Sequence, residues 1–180
     1  MHTRLCLLLL FIPLRISAQL YQASEGNVKF ISDAPLELIK AQSSKLTGLL
    51  KITDRSFAFA ISMSSFEGFN SDLQKTHFNE NYVESSKFPL ATFDGKIIED
   101  LDLSISGEYD IRGKGKFLIH GVEQIRIIKC HLSVSNGKIT INSKFTVLLA
   151  DHNIKIPSVV SKKITEEISV EMHAVMLPKK

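Results

Sequence analysis

Three histidines, His77, His120 and His152, are the residues of this chain best suited to metal chemistry. Histidine is the commonest protein ligand of transition metals, and a metal-assisted hydrolase needs several ligands around one open coordination position. None of the three stands at a ligand spacing from another histidine, cysteine or carboxylate cluster. The sequence therefore predicts no metal site and no cofactor. A hydrolase stays open as an alternative that requires these three side chains to converge across strands.

Nucleophilic catalysis has equally little support in the sequence. Cys130 lies between Ile128 and Leu132 on an apolar face, which predicts a buried and inert thiol. A serine elbow, a phosphate-binding loop and a dinucleotide fingerprint are all missing from the sequence. The glycine-rich run at 113–116 falls between two apolar segments and predicts a hairpin turn. We therefore predict no catalytic residue and no enzyme activity.

The first eighteen residues have the pattern of a secretory signal peptide. A weakly basic start is followed by a short apolar run from Leu5 to Leu14 and by Ile16-Ser17-Ala18. The run is too short to span a bilayer, so we predict cleavage near Ala18-Gln19 and no transmembrane segment in the mature chain. Residues 19–180 are then a single domain in the periplasm or otherwise secreted. That domain keeps one cysteine, so its stability rests on its core.

The charge balance argues against a nucleic-acid partner. The chain has 22 basic and 19 acidic residues and a formal net charge of +3. Removing Arg4 and Arg15 with the predicted leader leaves 20 basic against 19 acidic residues, a net charge of +1. A near-neutral domain without a long basic run lacks the electrostatic footprint of nucleic-acid binding.

Two-residue alternation of apolar and polar side chains dominates the rest of the sequence and predicts half-buried strands in an antiparallel sheet. Residues 101–111 read as one continuous strand, and Asn136-Gly137 is a strong hairpin signal. The long interruption is at 71–85, where Ser71 and Gln74 form a capping-box pattern and predict a helix. A shorter helix is predicted near 157–164. The pattern is compatible with a sandwich or a closed barrel, and with a filled core or a ligand cavity.

An ordered set of short motifs resembles the YceI-like family of secreted proteins. The set comprises Val28-Lys29-Phe30-Ile31-Ser32, Ala34-Pro35-Leu36-Glu37, Phe66-Glu67-Gly68-Phe69-Asn70, His77-Phe78 with Tyr82, Glu84-Ser85-Ser86-Lys87-Phe88-Pro89, Ala91-Thr92-Phe93, Gly113 to Val122, and Phe145 to Ile154. Asn79-Glu80-Asn81-Tyr82 is similar to versions in Bacteroidetes-type members. The chain departs from the common pattern at Gln74-Lys75 and at Glu123-Gln124-Ile125, where many members have Arg-Asp and Thr-Lys-Pro.

The resemblance implies a mainly β fold, an antiparallel lipocalin-like barrel of about eight or more strands. It also implies an interior that holds the tail of an amphiphilic lipid or isoprenoid, and no catalysis. We then expect His77, Asn79 and Asn81 at the mouth of the barrel. The predicted lining residues are Leu50, Phe57, Phe59, Ile61, Phe93, Ile105, Tyr109, Phe117, Ile119, Phe145, Val147 and Met172.

One alternative is a ligand-free structural or interaction module with a fully packed core. The oligomeric state is left open by the sequence, a dimer included.

Overall fold

The computed structural model describes residues 20–179, which contain nine antiparallel strands and one short α-helix. The predicted signal peptide, residues 1–18, lies outside the described residues. The elements are β1 (Leu20–Ala34), β2 (Glu37–Ser43), β3 (Thr47–Lys51), β4 (Ser56–Ser62), α1 (Asp72–His77), β5 (Leu90–Ile97), β6 (Gly107–Ile119), β7 (Val122–Ser135), β8 (Lys138–Leu148) and β9 (Glu167–Pro178).

Eight of these strands close into a barrel. Strands β3 to β9 pair in sequence order, and β1 joins the two ends by pairing with both β3 and β9. The β1–β9 ladder runs from Tyr21 opposite Pro178 to Ile31 opposite Ser169, with one bulge between Ala23 and Glu25. The predicted antiparallel barrel is therefore confirmed, and the sandwich alternative is wrong. Alternation allowed both folds, because each buries one face of every strand.

The ninth strand, β2, lies outside the closed ring of eight strands and pairs with β1. The end of the barrel at which β1 ends is called the upper end below. Strand β3 pairs with the start of β1, whereas β2 pairs with its later half, from Val28 to Ala34. Beyond β2, the backbone of Gln42 bonds to that of Glu67 in both directions. This bridge holds the segment after β4 against the barrel and brings Phe66 and Phe69 to its upper end.

The lower end is closed by a compact apolar cluster. Tyr21, Leu50, Ile97 and Met176 belong to it, and Leu103 enters from the β5–β6 connection with 1% of its surface exposed. The prediction of one strand over 101–111 is wrong, because Asp102 accepts hydrogen bonds from the backbone N–H and hydroxyl of Ser104 and turns the chain. Strand β6 begins only at Gly107.

The upper end carries the long insertion between β4 and β5. Ser71 Oγ accepts a hydrogen bond from the Gln74 N–H, and Gln74 Oε1 accepts one from the Asn70 N–H, so the predicted capping interaction is present. The helix is shorter than the predicted 71–85: α1 covers Asp72–His77 and continues as a π turn over Phe78–Tyr82. The predicted helix at 157–164 is a single 3-10 turn, Ser158–Val160.

Two tight hairpins connect the strands that follow. Asn136 and Gly137, with φ of 51° and 70°, form the predicted turn between β7 and β8. His120 and Gly121, with φ of 51° and 72°, form the corresponding turn between β6 and β7. The predicted turn at 113–116 is wrong, because these residues lie inside β6 and pair with both of its neighbours. Glycine inside a strand here marks close packing rather than a turn.

Leu103 is the plug that closes the lower end, and truncating its side chain tests this closure. Leu103→Ala should lower the free energy of unfolding by about 2–5 kcal/mol, because the substitution opens a cavity in a fully buried cluster. Ile105→Ala is the matched control in the same loop, since Ile105 is 59% exposed, and it should change stability by less than about 0.5 kcal/mol. Urea unfolding measures both. Equal losses for the two variants would contradict the assignment of Leu103 as the plug.

Candidate ligand-binding cavity

A cavity of about 490 Å³ occupies the barrel above the lower cluster. Its walls include inward-facing residues of all nine strands, and its upper part is lined by Leu73 and His77 of α1 and by Lys163 of the β8–β9 connection. These three residues are exposed to solvent, so the cavity opens at the upper end. Native cores rarely contain voids much larger than a water molecule, and binding cavities typically measure about 300–1,000 Å³.

Phenylalanine rings form one side of the cavity wall. Phe57 packs on Phe93 with ring centroids 4.9 Å apart, Phe93 on Phe117 at 5.9 Å, and Phe117 on Phe145 at 5.8 Å. Edge-to-face and tilted pairs at these separations are favourable beyond the area they bury. Phe59 lies over Gly48, where a Cβ would come within 2.3 Å of its ring. A side chain at this position would displace the ring, so the glycine allows the close approach.

Two buried serine hydroxyls in the wall already have protein partners. Ser32 Oγ accepts a hydrogen bond from the Thr165 N–H, and Ser143 Oγ donates one to the Lys129 carbonyl. Both serines line the cavity and are buried. The interior surface of the cavity is therefore mostly hydrocarbon.

Cys130 faces the cavity from β7. Its side chain is partly exposed although it points inward, because it borders the cavity. Burial raises the pKa of its thiol above the ordinary value, which keeps it protonated at neutral pH. The inertness of this thiol stays a prediction.

A few polar side chains surround the mouth. Gln74 Nε2 donates a hydrogen bond to Glu37 Oε1 at 2.9 Å, which connects α1 to the turn between β1 and β2. Ser71, His77 and Lys163 also line this part of the cavity. These groups are the candidates for contact with a polar head group.

Most of the predicted lining residues do face the cavity. They are Leu50, Phe57, Phe59, Ile61, Phe93, Phe117, Ile119, Phe145, Val147 and Met172. Ile105 does not, because it lies in the loop before β6 and is 59% exposed. Tyr109 packs against the lower cluster beneath the cavity, with its hydroxyl donating to the Ile105 carbonyl. Contact of any of these residues with a ligand stays a prediction.

The three predicted mouth residues separate in the structure. His77 lines the cavity at its upper end, but Asn79 and Asn81 do not. Asn79 Nδ2 donates to the Lys75 carbonyl, one turn back in the same helical segment, and Asn81 faces solvent. The placement of both asparagines at the mouth is therefore wrong. The π turn over Phe78–Tyr82 rotates successive side chains away from the positions that a regular helix would give.

The structure contains an aromatic cluster beneath α1 that the sequence patterns did not predict. Phe30 stacks on Phe78 at 5.3 Å and approaches Phe66 at 5.4 Å, and Phe69 lies 5.0 Å from Phe78. All four rings line the upper cavity. Their spacing in the sequence fits neither a strand nor a helix stripe. The signal that could have found them is the density of phenylalanine in a segment otherwise rich in turn residues.

The three histidines considered for metal binding are engaged differently. His120 Nε2 bonds to Glu84 Oε2 at 2.6 Å and its Nδ1 to the His152 carbonyl at 2.9 Å. His152 is fully buried, with its Nδ1 bonded to the Val122 carbonyl and its ring against Phe117. Within residues 20–179, histidine, cysteine and carboxylate side chains form no group of three that could hold a metal ion. The convergence required by the hydrolase alternative is therefore not observed in the described chain.

The barrel wall has a gap between the upper halves of β7 and β8. Their ladder extends only from Ser135 to Cys130 on β7. Above it, Arg126 Nη2 donates to the Thr146 carbonyl, and Gln124 Nε2 donates to the Asp151 carbonyl. These two inward-facing polar residues, which interrupt the apolar pattern of β7, thus replace the missing backbone pairing.

Comparison with known proteins agrees with this geometry. The family model described as the YceI-like domain matches residues 21–176. The chain belongs to the YceI-like domain family. Among curated proteins no match was found.

Several solved structures have the same fold. A polyisoprenoid binding domain from Saccharophagus degradans, implicated in plant cell wall breakdown, aligns over 88% of this chain and 98% of its own, with a TM-score of 0.74 and 14% identity. BcnA of Burkholderia cenocepacia aligns over 83% and 95%, with a TM-score of 0.70 and 15% identity. The YCEI protein of Campylobacter jejuni aligns over 99% and 94%, with a TM-score of 0.56 and 13% identity. Similarity to Bacteroidetes-type members stays a prediction.

The environment of His152 gives a test by pH. Burial lowers the pKa of His152 below its ordinary value of 6.5, so the unfolded chain binds this proton more readily than the folded chain. The free energy of unfolding should therefore fall as the pH drops below about 6.5. His152→Gln should flatten this dependence, as measured by urea unfolding between pH 5 and pH 7.5.

His131→Gln is the control for this measurement. Hydrogen bonds to Asp110 and Glu108 raise the pKa of His131, so its contribution is present at low pH and disappears as the pH rises. The pH dependence should therefore not flatten when His131 is replaced. An unchanged slope in His152→Gln would contradict burial of a neutral imidazole at this position.

Proposed function

We propose that this protein binds the apolar tail of an amphiphilic lipid, an isoprenoid or acyl chain, in the interior of its barrel. It acts as a carrier or sequestering protein, without catalysis, in the periplasm or another compartment outside the cytoplasm. The observation that supports the proposal most is the cavity itself, about 490 Å³ of space whose walls are almost entirely apolar and whose opening carries the polar groups. The domain from Saccharophagus degradans, described as polyisoprenoid binding, has the same fold.

The physical driving force requires no directional chemistry inside the barrel. Removing a hydrocarbon chain from water contributes about 0.8 kcal/mol for each buried methylene. The phenylalanine wall and the aliphatic residues opposite it provide the contact surface, and Ser32 and Ser143 add no unpaired polar atoms. A long apolar tail therefore fits this environment better than a polar metabolite, which would lose its hydrogen bonds to water.

The remaining alternative is a ligand-free module with a packed core. That alternative needs side chains to fill the barrel, as they do in its lower part around Leu103 and Ile139. In the upper part, Phe59, Phe93, Phe145 and Met172 face inward and still keep exposed surface, since the cavity lies in front of them. This incomplete packing favours a binding protein over a purely structural one.

The position of the polypeptide relative to membranes is also part of the proposal. Within residues 20–179, no helix has the length and apolar character that crossing a bilayer requires. The proposal that the protein is exported rests on the apolar run near the start of the sequence, which has the pattern of a cleaved signal peptide. Intact mass of the protein recovered from a bacterial host fixes the mature N-terminus.

Filling the cavity from its wall tests the proposed function. Cys130→Trp places an indole in the space that Cys130 faces, and it should lower the affinity for a fluorescent prenyl or acyl analogue by at least tenfold, because the tail and the indole compete for the same volume. Fluorescence titration of the exported protein measures the affinity. Circular dichroism confirms that each variant is folded.

Lys129→Trp is the matched control. Its side chain points outward from the neighbouring position of the same strand, so the affinity should stay within about twofold of the unaltered protein. The proposal fails if the unaltered protein binds no analogue, or if both tryptophan variants bind as well as it does.

A further inference from the structure

We infer that the rim around the mouth of the cavity docks onto a phospholipid bilayer, with the side chains of Leu36 and Val159 entering the membrane interface. The inference rests on the proposed function, because it describes how a lipid reaches the cavity. It concerns a different surface, however, and neither of these two residues lines the cavity. The name rim is used below for residues 35–37, 71–77 and 157–163.

The three segments of the rim are joined to one another by hydrogen bonds. The Leu36 N–H donates to the Lys162 carbonyl at 2.9 Å, which connects the β1–β2 turn to the β8–β9 connection. Gln74 Nε2 donates to Glu37 Oε1 at 2.9 Å, which connects the same turn to α1. Glu37, Gln74 and Lys163 also line the cavity, so all three segments stand at its opening.

The rim presents large apolar side chains to solvent. Val159 is 86% exposed, Leu36 is 67% exposed and Leu73 is 64% exposed. Leu73 also lines the cavity, as does Val160 next to Val159. The exposed apolar surface is therefore continuous with the interior. In water these side chains contribute nothing to the core, whereas in the interfacial region of a bilayer they would be buried.

Two lysines stand beside these apolar side chains. Lys162 and Lys163 are exposed, and neither forms an ion pair with a carboxylate of the described chain. A cation next to an inserted apolar side chain can approach lipid phosphate groups, and it adds affinity for anionic lipids. The rim also contains two carboxylates, Glu37, which accepts the hydrogen bond from Gln74, and Asp72. The exposed apolar side chains are therefore expected to supply most of the binding, with the lysine pair adding affinity for anionic lipids.

A bilayer is favoured over a protein partner because of the path that the ligand must follow. An amphiphile that leaves a membrane for the cavity loses contact with hydrocarbon unless the two apolar regions meet. With the rim in the interface, the exposed Leu73 bridges from the bilayer to the cavity wall, so the tail need not cross open water. Exposed apolar residues elsewhere, such as Ile105 at the closed end and Ile127 on the barrel wall, offer no such path.

The test is flotation of the exported protein with vesicles of phosphatidylcholine, with and without phosphatidylglycerol. The double variant Leu36→Gln/Val159→Gln should partition onto both kinds of vesicle at least about tenfold less than the unaltered protein. Lys162→Gln should lose about fivefold of its binding to the anionic vesicles and little of its binding to the neutral ones.

The matched control is Ile105→Gln/Ile127→Gln, which removes two similarly exposed apolar side chains away from the mouth, 59% and 54% exposed. Its partition should stay within about twofold of the unaltered protein. Equal losses in the rim and control variants would overturn the inference, since binding would then follow total surface apolarity. Absence of flotation by the unaltered protein on both vesicles would also overturn it.

A second measurement separates this inference from the proposed function. Binding of the fluorescent analogue is measured on the same proteins without vesicles, and the Leu36→Gln/Val159→Gln protein should bind it normally. If analogue binding is intact and flotation is absent, the rim inference fails and the proposed function stands. If the unaltered protein binds no analogue, the proposed function fails and this inference fails with it.

Discussion

The ladder between β1 and β9 is the constraint on which the rest of the structure depends. It joins the two edges of the sheet over most of the length of both strands, and this closure turns the inward face of every strand toward a single interior. An eight-stranded barrel has an interior that side chains can just fill or that can hold one small ligand. Which of these occurs depends on the side chains along the barrel axis.

The two ends of the barrel differ in this respect: the lower end is filled by side chains, and the upper end contains the cavity. At the lower end, Leu103 enters from a loop and meets Leu50, Ile139 and Met176, all nearly or fully buried. At the upper end, the insertion that carries α1 lies across the opening with its aromatic side chains directed inward, and it leaves a space beneath. The barrel is therefore stabilised by a solid base and carries a hollow upper part. The packed base allows a cavity above it although residues 20–179 contain one free cysteine and no disulfide.

Alternation in the sequence was sufficient to predict antiparallel strands and the side chains that face the interior, but the closed barrel was implied only by the family resemblance. The period of a strand directly determines which side chains share a face, so Phe57, Phe93, Phe117 and Phe145 were placed correctly. The errors fall where local hydrogen bonds replace this period. Asp102 turns the chain before β6 and removes Ile105 from the wall. The π turn after α1 moves Asn79 and Asn81 away from the mouth, and the residues of the aromatic cluster beneath it come from separate segments with no common period.

Direct observation of a co-purified molecule tests the central claim, that the hollow part of the barrel holds a lipid tail. The measurement is native mass spectrometry of the protein purified without detergent from its own host. The account predicts a species heavier than the polypeptide that releases one amphiphile per chain on collisional activation. Organic extraction of the same sample should give the same molecule. Recovery of the bare polypeptide alone, together with an empty organic extract, would contradict the account.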